Sequence, residues 1–334
     1  MQNFSSWLFF LLFIGLVNIS QGQDYVDLFR VQYSNTPTNN FKPDSISDLG
    51  STIQELGIDL TLPIKINEKF VIITGYSHDR LDLWPYAPAT GVDNPTYFMH
   101  SIKAGISWQH NEKWSGQYLI LPKTTGALDQ MNNKNSQLAA LALIKQKKKE
   151  NLFLRYGAYY NSEIFGPFFV PLLGIWYRSP NKKFEMNWTL PVWADMNYTW
   201  KPWFTTGFNF QSFVRTYYRK NQSINVFPTP VGFQQEQYMV KASNEIYLYT
   251  QFNIKRSFLI QTKIGKSIGR KFKHYNYGDN VDWGFSAFRF GDSRTQLNPN
   301  LKDGLVFQVR FIYRFWLDEE AGGEPTSNLL NLVR

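Results

Sequence analysis

The most chemistry-like stretch of the chain is Gly291-Asp292-Ser293-Arg294-Thr295. A serine acts as a nucleophile when a base lies within hydrogen-bond reach and donors wait for the oxyanion. The available bases are His78, His100, His110 and His274. None follows Ser293, and no Asp-x-x-His pair stands near the end of the chain. Only His274 shares the surrounding segment. The block therefore reads as a polar loop that turns at Gly291-Asp292 before a strand beginning near Leu305.

That argument sets aside the GDSL-type esterases, whose opening block these residues approach. Metal chemistry fares no better. The histidines are scattered over four segments, with no His-x-x-x-His and no carboxylate cluster at ligand spacing, so no metal is expected. With no cysteine there is no disulfide framework and no thiolate. Without a glycine-rich phosphate loop, no cofactor is expected. "RTYYRK" and "RKFKHYNY" interleave cations with aromatics, as nucleic-acid surfaces do. Helix-based reading motifs are missing, however, and in an exported chain such stretches suit lipopolysaccharide phosphates. No nucleic-acid partner is expected.

A larger set of charges remains, spread along the chain at alternate positions. These are Arg30, Asp59, Lys103, Arg155, Arg215, Arg219, Lys241, Glu245, Lys263, Arg310 and Arg314. In "LVFQVRFIYRFWL", Leu305, Phe307, Val309, Phe311, Tyr313, Phe315 and Leu317 share one face. Gln308, Arg310 and Arg314 share the other. Successive strand residues point to opposite faces, so such a strand has a greasy side and a polar side. Residues 238–254, 204–218 and 56–62 repeat the pattern.

Composition agrees with this. The 334 residues carry a net charge of +9 and are 17% aromatic but only 18% charged. Soluble domains are usually about a quarter charged. No internal apolar run approaches the roughly 18 residues of a spanning helix. The opening "MQNFSSWLFFLLFIGLVNISQGQD" has a short apolar run over 7–17 and small residues at Ser20 and Gly22. It reads as a signal peptide, residues 1–22, cleaved before Gln23.

Short polar turns (67–69, 111–113, 147–151, 180–183, 201–202, 255–256) alternate with longer connections (35–50, 83–95, 123–135, 220–235, 269–303). That is the layout of an antiparallel up-and-down transmembrane β-barrel. About 14 strands are expected, with 12 or 16 as alternatives. Their spans are 25–34, 52–66, 69–81, 96–110, 113–122, 136–146, 151–162, 169–179, 183–190, 193–200, 203–219, 236–254, 256–268 and 304–317. A short helix is the competing reading for 136–146, where Leu138, Leu141 and Ile144 are spaced by three. The barrel domain is 23–317, followed by a polar tail over 318–334.

A barrel explains the aromatics as interfacial belts at strand ends. Trp108, Trp114, Trp176, Trp200, Trp203, Phe315 and Trp316 are the candidates. His100 is expected on the outer face, beside Phe98 and Ile102, where a barrel phospholipase would also need a serine. None can be placed there.

"DLFRVQYS", "LPIKINEKFVIITGYSHDRLDL" and "VRFIYRFWL" resemble a family of uncharacterised bacterial outer-membrane β-barrels grouped as a domain of unknown function. The resemblance covers nearly all of the chain after residue 22. It implies a Gram-negative outer-membrane location, with lipid, lipopolysaccharide and the barrel-assembly machinery as partners. It supplies no catalytic residue and no substrate. The sequence departs from the usual terminal aromatic of such barrels, because Phe315-Trp316 is followed by the tail. The expectation is a passive channel or binding barrel for small solutes, with anions favoured by an Arg/Lys-lined lumen. The alternative is a structural or surface-interaction barrel whose lumen is plugged, for example by pairing Glu245 with Lys263 or Arg215, and which acts through its loops.

Overall fold

In the computed structural model, residues 25–42, 50–84, 95–126, 132–220 and 236–316 are described. The signal peptide and the polar tail expected at the two ends lie outside these residues. All regular structure is β: β1 (Tyr25–Lys42), β2 (Gly50–Lys65), β3 (Phe70–Trp84), β4 (Thr96–Gln109), β5 (Trp114–Thr125), β6 (Ser136–Lys149), β7 (Leu152–Glu163), β8 (Gly166–Arg178), β9 (Phe184–Leu190), β10 (Trp193–Lys201), β11 (Phe204–Lys220), β12 (Glu236–Lys255), β13 (Phe258–Asn276), β14 (Trp283–Phe285), β15 (Phe288–Phe290), β16 (Asn300–Leu301) and β17 (Leu305–Trp316).

Fourteen of these form the barrel. β1 to β13 pair antiparallel in chain order, β17 pairs with β13, and β1 pairs with both β17 and β2. The sheet has no free end, which removes the unpaired backbone that a bilayer cannot satisfy. Residues 136–149 are a strand, β6, bonded to β5 and β7 along its length. Period-two alternation there outweighs the three-residue spacing of its leucines, because both neighbours supply a ladder.

The outer face is apolar. Ile102, Ile120, Leu173, Ile264 and Phe311 are all exposed, and Leu248 and Ile254 each keep 64% of their surface open. A closed antiparallel barrel with that surface is built to sit in lipid.

Crossing a bilayer takes about 9–11 strand residues. β12 and β13 have 20 and 19, whereas β9 and β10 have only 7 and 9. The β9–β10 hairpin therefore stops low in the wall. Above it, the first residues of β8 and the last of β11 have no strand between them. β14 fills part of this gap, lying parallel to β8 with Gly284 beside Phe168.

The upper ends of β11, β12 and β13 use the gap to fold inward. Along β12, even-numbered residues share the face that carries exposed Leu248 and Ile254. On that same face Tyr238 and Val240 are buried, and so are Gln237, Met239 and Lys241 on the other. In a wall, alternate residues would meet lipid. Five consecutive buried residues place this stretch inside the barrel. Tyr238, Val240 and Tyr275 pack against Phe165, Phe168, Val170 and Leu172 of the β7–β8 hairpin, whereas Tyr217, Met239 and Phe272 pack against Ile53, Leu81, Tyr97 and Met99 of β2–β4. The two layers belong to opposite walls, so a three-stranded tongue closes the long-loop end of the lumen. Each buried ring contributes about 1.5–3 kcal/mol.

Polar bonds pin the tongue. Thr216 Oγ1 donates to Glu163 Oε2 at 2.6 Å, Ile164 N donates to Thr216 Oγ1 at 3.0 Å, and Tyr218 N donates to Thr125 Oγ1 at 3.1 Å. The bend has a local cause. Where β12 steps from Ala242 to Asn244, β13 carries an extra residue, with Gly269 at φ +66°. Such a bulge kinks and over-twists its strand.

Candidate functional site

Strands that are not neighbours in the sheet can touch only through the lumen, and many of the charged residues do so. Lys241 on β12 bonds Glu55 on β2, and Arg215 on β11 meets Asp79 on β3 at 3.1 Å. Lys103 Nζ donates to Asp59 at 2.7 Å, and Arg30 lies 3.8 Å from the same carboxylate. Arg155 donates to Asn187 and Thr189 at 2.5 and 3.3 Å. Arg314 grips Asp27 through two bonds, 2.6 and 3.2 Å, and its guanidinium lies 3.5 Å from the centre of the Tyr25 ring. Arg219 stands opposite Gln237 near the long-loop end of β11.

Glu245 takes other partners than the sequence suggested. It accepts from Gln211 Nε2 at 2.7 Å and from Tyr247 OH at 2.6 Å, while Arg215 is held by Asp79 and Lys263 donates to Asn209 at 2.8 Å. Residue order along a strand reveals the face but not the cross-lumen partner. That depends on which opposite strand comes nearest.

Below the tongue the lumen opens into a cavity of about 650 Å³. Tyr25, Lys182, Pro202, Trp203, Lys255 and Arg256 surround its mouth at the short-turn end, and Trp193, Asp195, Tyr249 and Arg310 line its inner part. Asp195 accepts from Tyr249 OH at 2.9 Å and from Asn197 Nδ2 at 3.2 Å. Arg310 donates through Nε to Gln32 and through Nη2 to Gln211, at 3.1 and 3.4 Å. Among the described residues neither Arg310 nor Lys263 has a carboxylate within ion-pair distance. Two glycines make room for the tyrosine rings: a Cβ at Gly207 would lie 2.4 Å from the Tyr249 ring, and one at Gly265 would lie 2.4 Å from the Tyr247 ring. Sequence reading missed Trp193, Asp195 and Tyr249. Their alternation was visible, but residue order does not show that β10 and β12 bring them to one cavity.

Of the expected aromatic belt, Trp108, Trp200 and Trp203 are exposed, and Trp114 and Phe315 are half-exposed. Trp176 departs from that expectation. It is 3% exposed and packs edge-on against Phe153 inside the barrel, because even-numbered residues of β8 face inward. The side chain of Trp316 lies outside the described residues.

The catalytic candidates do not assemble. Ser293 Oγ donates to Asn280 O at 3.1 Å, whereas His274 is buried with its Nε2 2.9 Å from Tyr97 OH. His100 lies beside Tyr76 OH and His78, at 2.6 and 3.3 Å, and no serine hydroxyl among the described residues is bonded to it. Among the described residues no three His, Asp or Glu side chains form a metal-binding group.

No protein-family model matches the chain, and no curated protein matches it. Solved structures show a distant likeness. An outer-membrane channel from Pseudomonas putida F1 aligns with TM-score 0.45 and 8% identity, over 89% of this chain and all of that one. The P. putida toluene transporter TodX aligns with TM-score 0.37 and 8% identity, over 91% and 94%. The β domain of the Bordetella autotransporter BrkA aligns with TM-score 0.29 and 8% identity, over 87% and 100%. The assignment of this chain as a closed 14-stranded barrel rests on its own strand pairing.

Proposed function

We propose that the protein is an integral barrel of a Gram-negative outer membrane that admits small solutes into its lumen from the short-turn, periplasmic side. The observation that carries this reading is the cavity of about 650 Å³ that opens at the short-turn mouth and ends beneath the tongue. Arg and Lys outnumber carboxylates along its lining, and a basic, water-filled lumen favours anions. Passage to the other side requires the tongue to swing away from β2–β4. Two ion pairs, Lys241–Glu55 and Arg215–Asp79, hold it there.

The test is conductance of the refolded protein in a planar bilayer. Wild type is expected to be closed most of the time, with brief anion-preferring steps. Glu55→Gln combined with Asp79→Asn removes both pairs and raises the open fraction. If wild type and this variant are equally silent, the conduit reading fails. A second reading, a plugged barrel that acts through its loops, is favoured by the β14–β15 hairpin. Trp283, Phe285, Phe288 and Phe290 are all exposed there, and Trp283 stacks on Phe290 at 4.2 Å.

A further inference from the structure

We propose that the inner end of the cavity is a binding site for a small organic monoanion, with its carboxylate on Arg310 and its apolar body against Trp193 and Tyr249. This deepens the solute-admitting reading and rests on it.

Three observations carry the assignment. The first is charge. Arg310 and Lys263, 5% and 4% exposed, have no carboxylate within ion-pair distance among the described residues. Arg155, bonded to Asn187 directly opposite Asp195, adds another cation near that carboxylate. A charge taken out of water without a partner is costly, and one bound negative charge relieves it.

The second observation is the geometry of Arg310. Its hydrogen bonds use Nε and Nη2, both to amide oxygens of glutamine, which fixes the plane of the guanidinium. Nη1 is left to the cavity that Arg310 lines. An arginine held in place by neutral partners is pre-organised to accept a carboxylate.

The third is the wall. The Trp193 ring lies 5.9 Å from the Arg310 guanidinium and 5.8 Å from Lys263 Nζ, and Tyr249 lies 5.3 Å from Lys263 Nζ. An indole and a phenol beside the anion subsite offer flat apolar surface. The volume falls in the range of small-molecule sites, roughly 300–1,000 Å³. With Nε and Nη2 taken, Arg310 has one nitrogen for one carboxylate, and a neutral ring would leave its charge unanswered.

The probe is benzoate, titrated into the detergent-refolded barrel by calorimetry and tryptophan fluorescence, with benzyl alcohol and phthalate as comparisons. Benzoate is expected to saturate one site. Benzyl alcohol and phthalate should bind on the order of tenfold or more weakly. Arg310→Gln should lose benzoate affinity by a similar factor, and Trp193→Leu should weaken benzoate while leaving chloride selectivity in place. Arg294→Gln, in the outer loop, should bind as wild type. Should Arg310→Gln fail to refold, Arg310→Lys is read instead: it keeps the charge, loses the planar fork and is expected to bind between wild type and no binding. Equal binding of benzoate and benzyl alcohol, or benzoate binding unchanged in the Arg310 variant, overturns the site. A conducting barrel that ignores benzoate sinks the site and leaves the conduit standing. A barrel that binds benzoate at Arg310 yet never conducts does the reverse.

Discussion

Lys241 keeps only 2% of its side chain exposed, and Glu55 reaches it from the opposite wall. The pair also lies near an aromatic face, with Lys241 Nζ 4.5 Å from the Phe213 ring centre. Removing one member of a buried pair leaves the other uncompensated, at about 3–5 kcal/mol. Glu55 is a quarter exposed, so water screens part of the loss, and Glu55→Gln is expected to cost about 3 kcal/mol. Replacing both members by apolar residues, Lys241→Met with Glu55→Leu, should recover most of it. Urea unfolding of the barrel in lipid vesicles measures both, and a double variant as weak as the single one would show that the pair is not the cause. At this scale the sequence was partly legible. Period-two order separated Arg215, Lys241 and Arg310 from their lipid-facing neighbours. It could not name Asp79, Glu55 or Gln32 as partners, because a partner across a lumen is set by three-dimensional closure and not by spacing.

Among elements, the 277–304 connection is the most structured of the outer loops described. Asp292 accepts from Arg294 Nε at 2.8 Å and from its Nη2 at 2.7 Å, and Arg294 lies over the rings of Tyr275 and Phe165 at 4.6 and 5.1 Å. The hydrogen bonds from Arg294 hold the Asp292 carboxyl below its usual range. A depressed carboxyl stabilises the folded loop above its unfolded pKa, about 3.9, and that contribution is lost as pH falls through the folded value. Protease cutting within 277–304 should therefore be level from pH 8 to 5 and rise only below about 3.9. A rise near pH 6 would point to histidine instead. The strand boundaries show what sequence patterning records. β5, β6, β7, β9 and β10 lie within a few residues of their expected spans, because each has one lipid face and one polar face. β13 was expected to stop at Ile268 and runs to Asn276. The extra residue at Gly269 shifts the alternation by one, so a period-two reading ends there. β1 was expected to stop at Ser34 and continues to Lys42, where Asn35, Thr36, Thr38, Asn39 and Asn40 replace the apolar alternation beyond the bilayer.

For the molecule as a whole, the lipid-facing belt and the packed interior make different demands. Leu248 is 64% exposed on the same strand that carries buried Tyr238. An arginine on the lipid face near mid-membrane costs about 2–4 kcal/mol. Leu248→Arg is expected to lower folding stability in vesicles by that amount while leaving ion selectivity unchanged. A shift in selectivity would mean that residue 248 reaches the lumen. The closed barrel was readable in advance because lipid imposes alternation on every wall strand. The tongue was not. Tyr238 and Val240 carry the same apolar-outward signature as Leu248, and only the shortness of β9 and β10 hinted that no lipid would be there.

The inward fold of β11–β13 also constrains the order of events during biogenesis. These strands stand near the end of the chain, and the seam that completes the cylinder joins β1 to β17, with Asp27 clasping Arg314. Met239 and Lys241 pack against β2–β4, and that layer comes round to them only as the seam closes. The last zippering step therefore also brings the tongue the wall on which it docks.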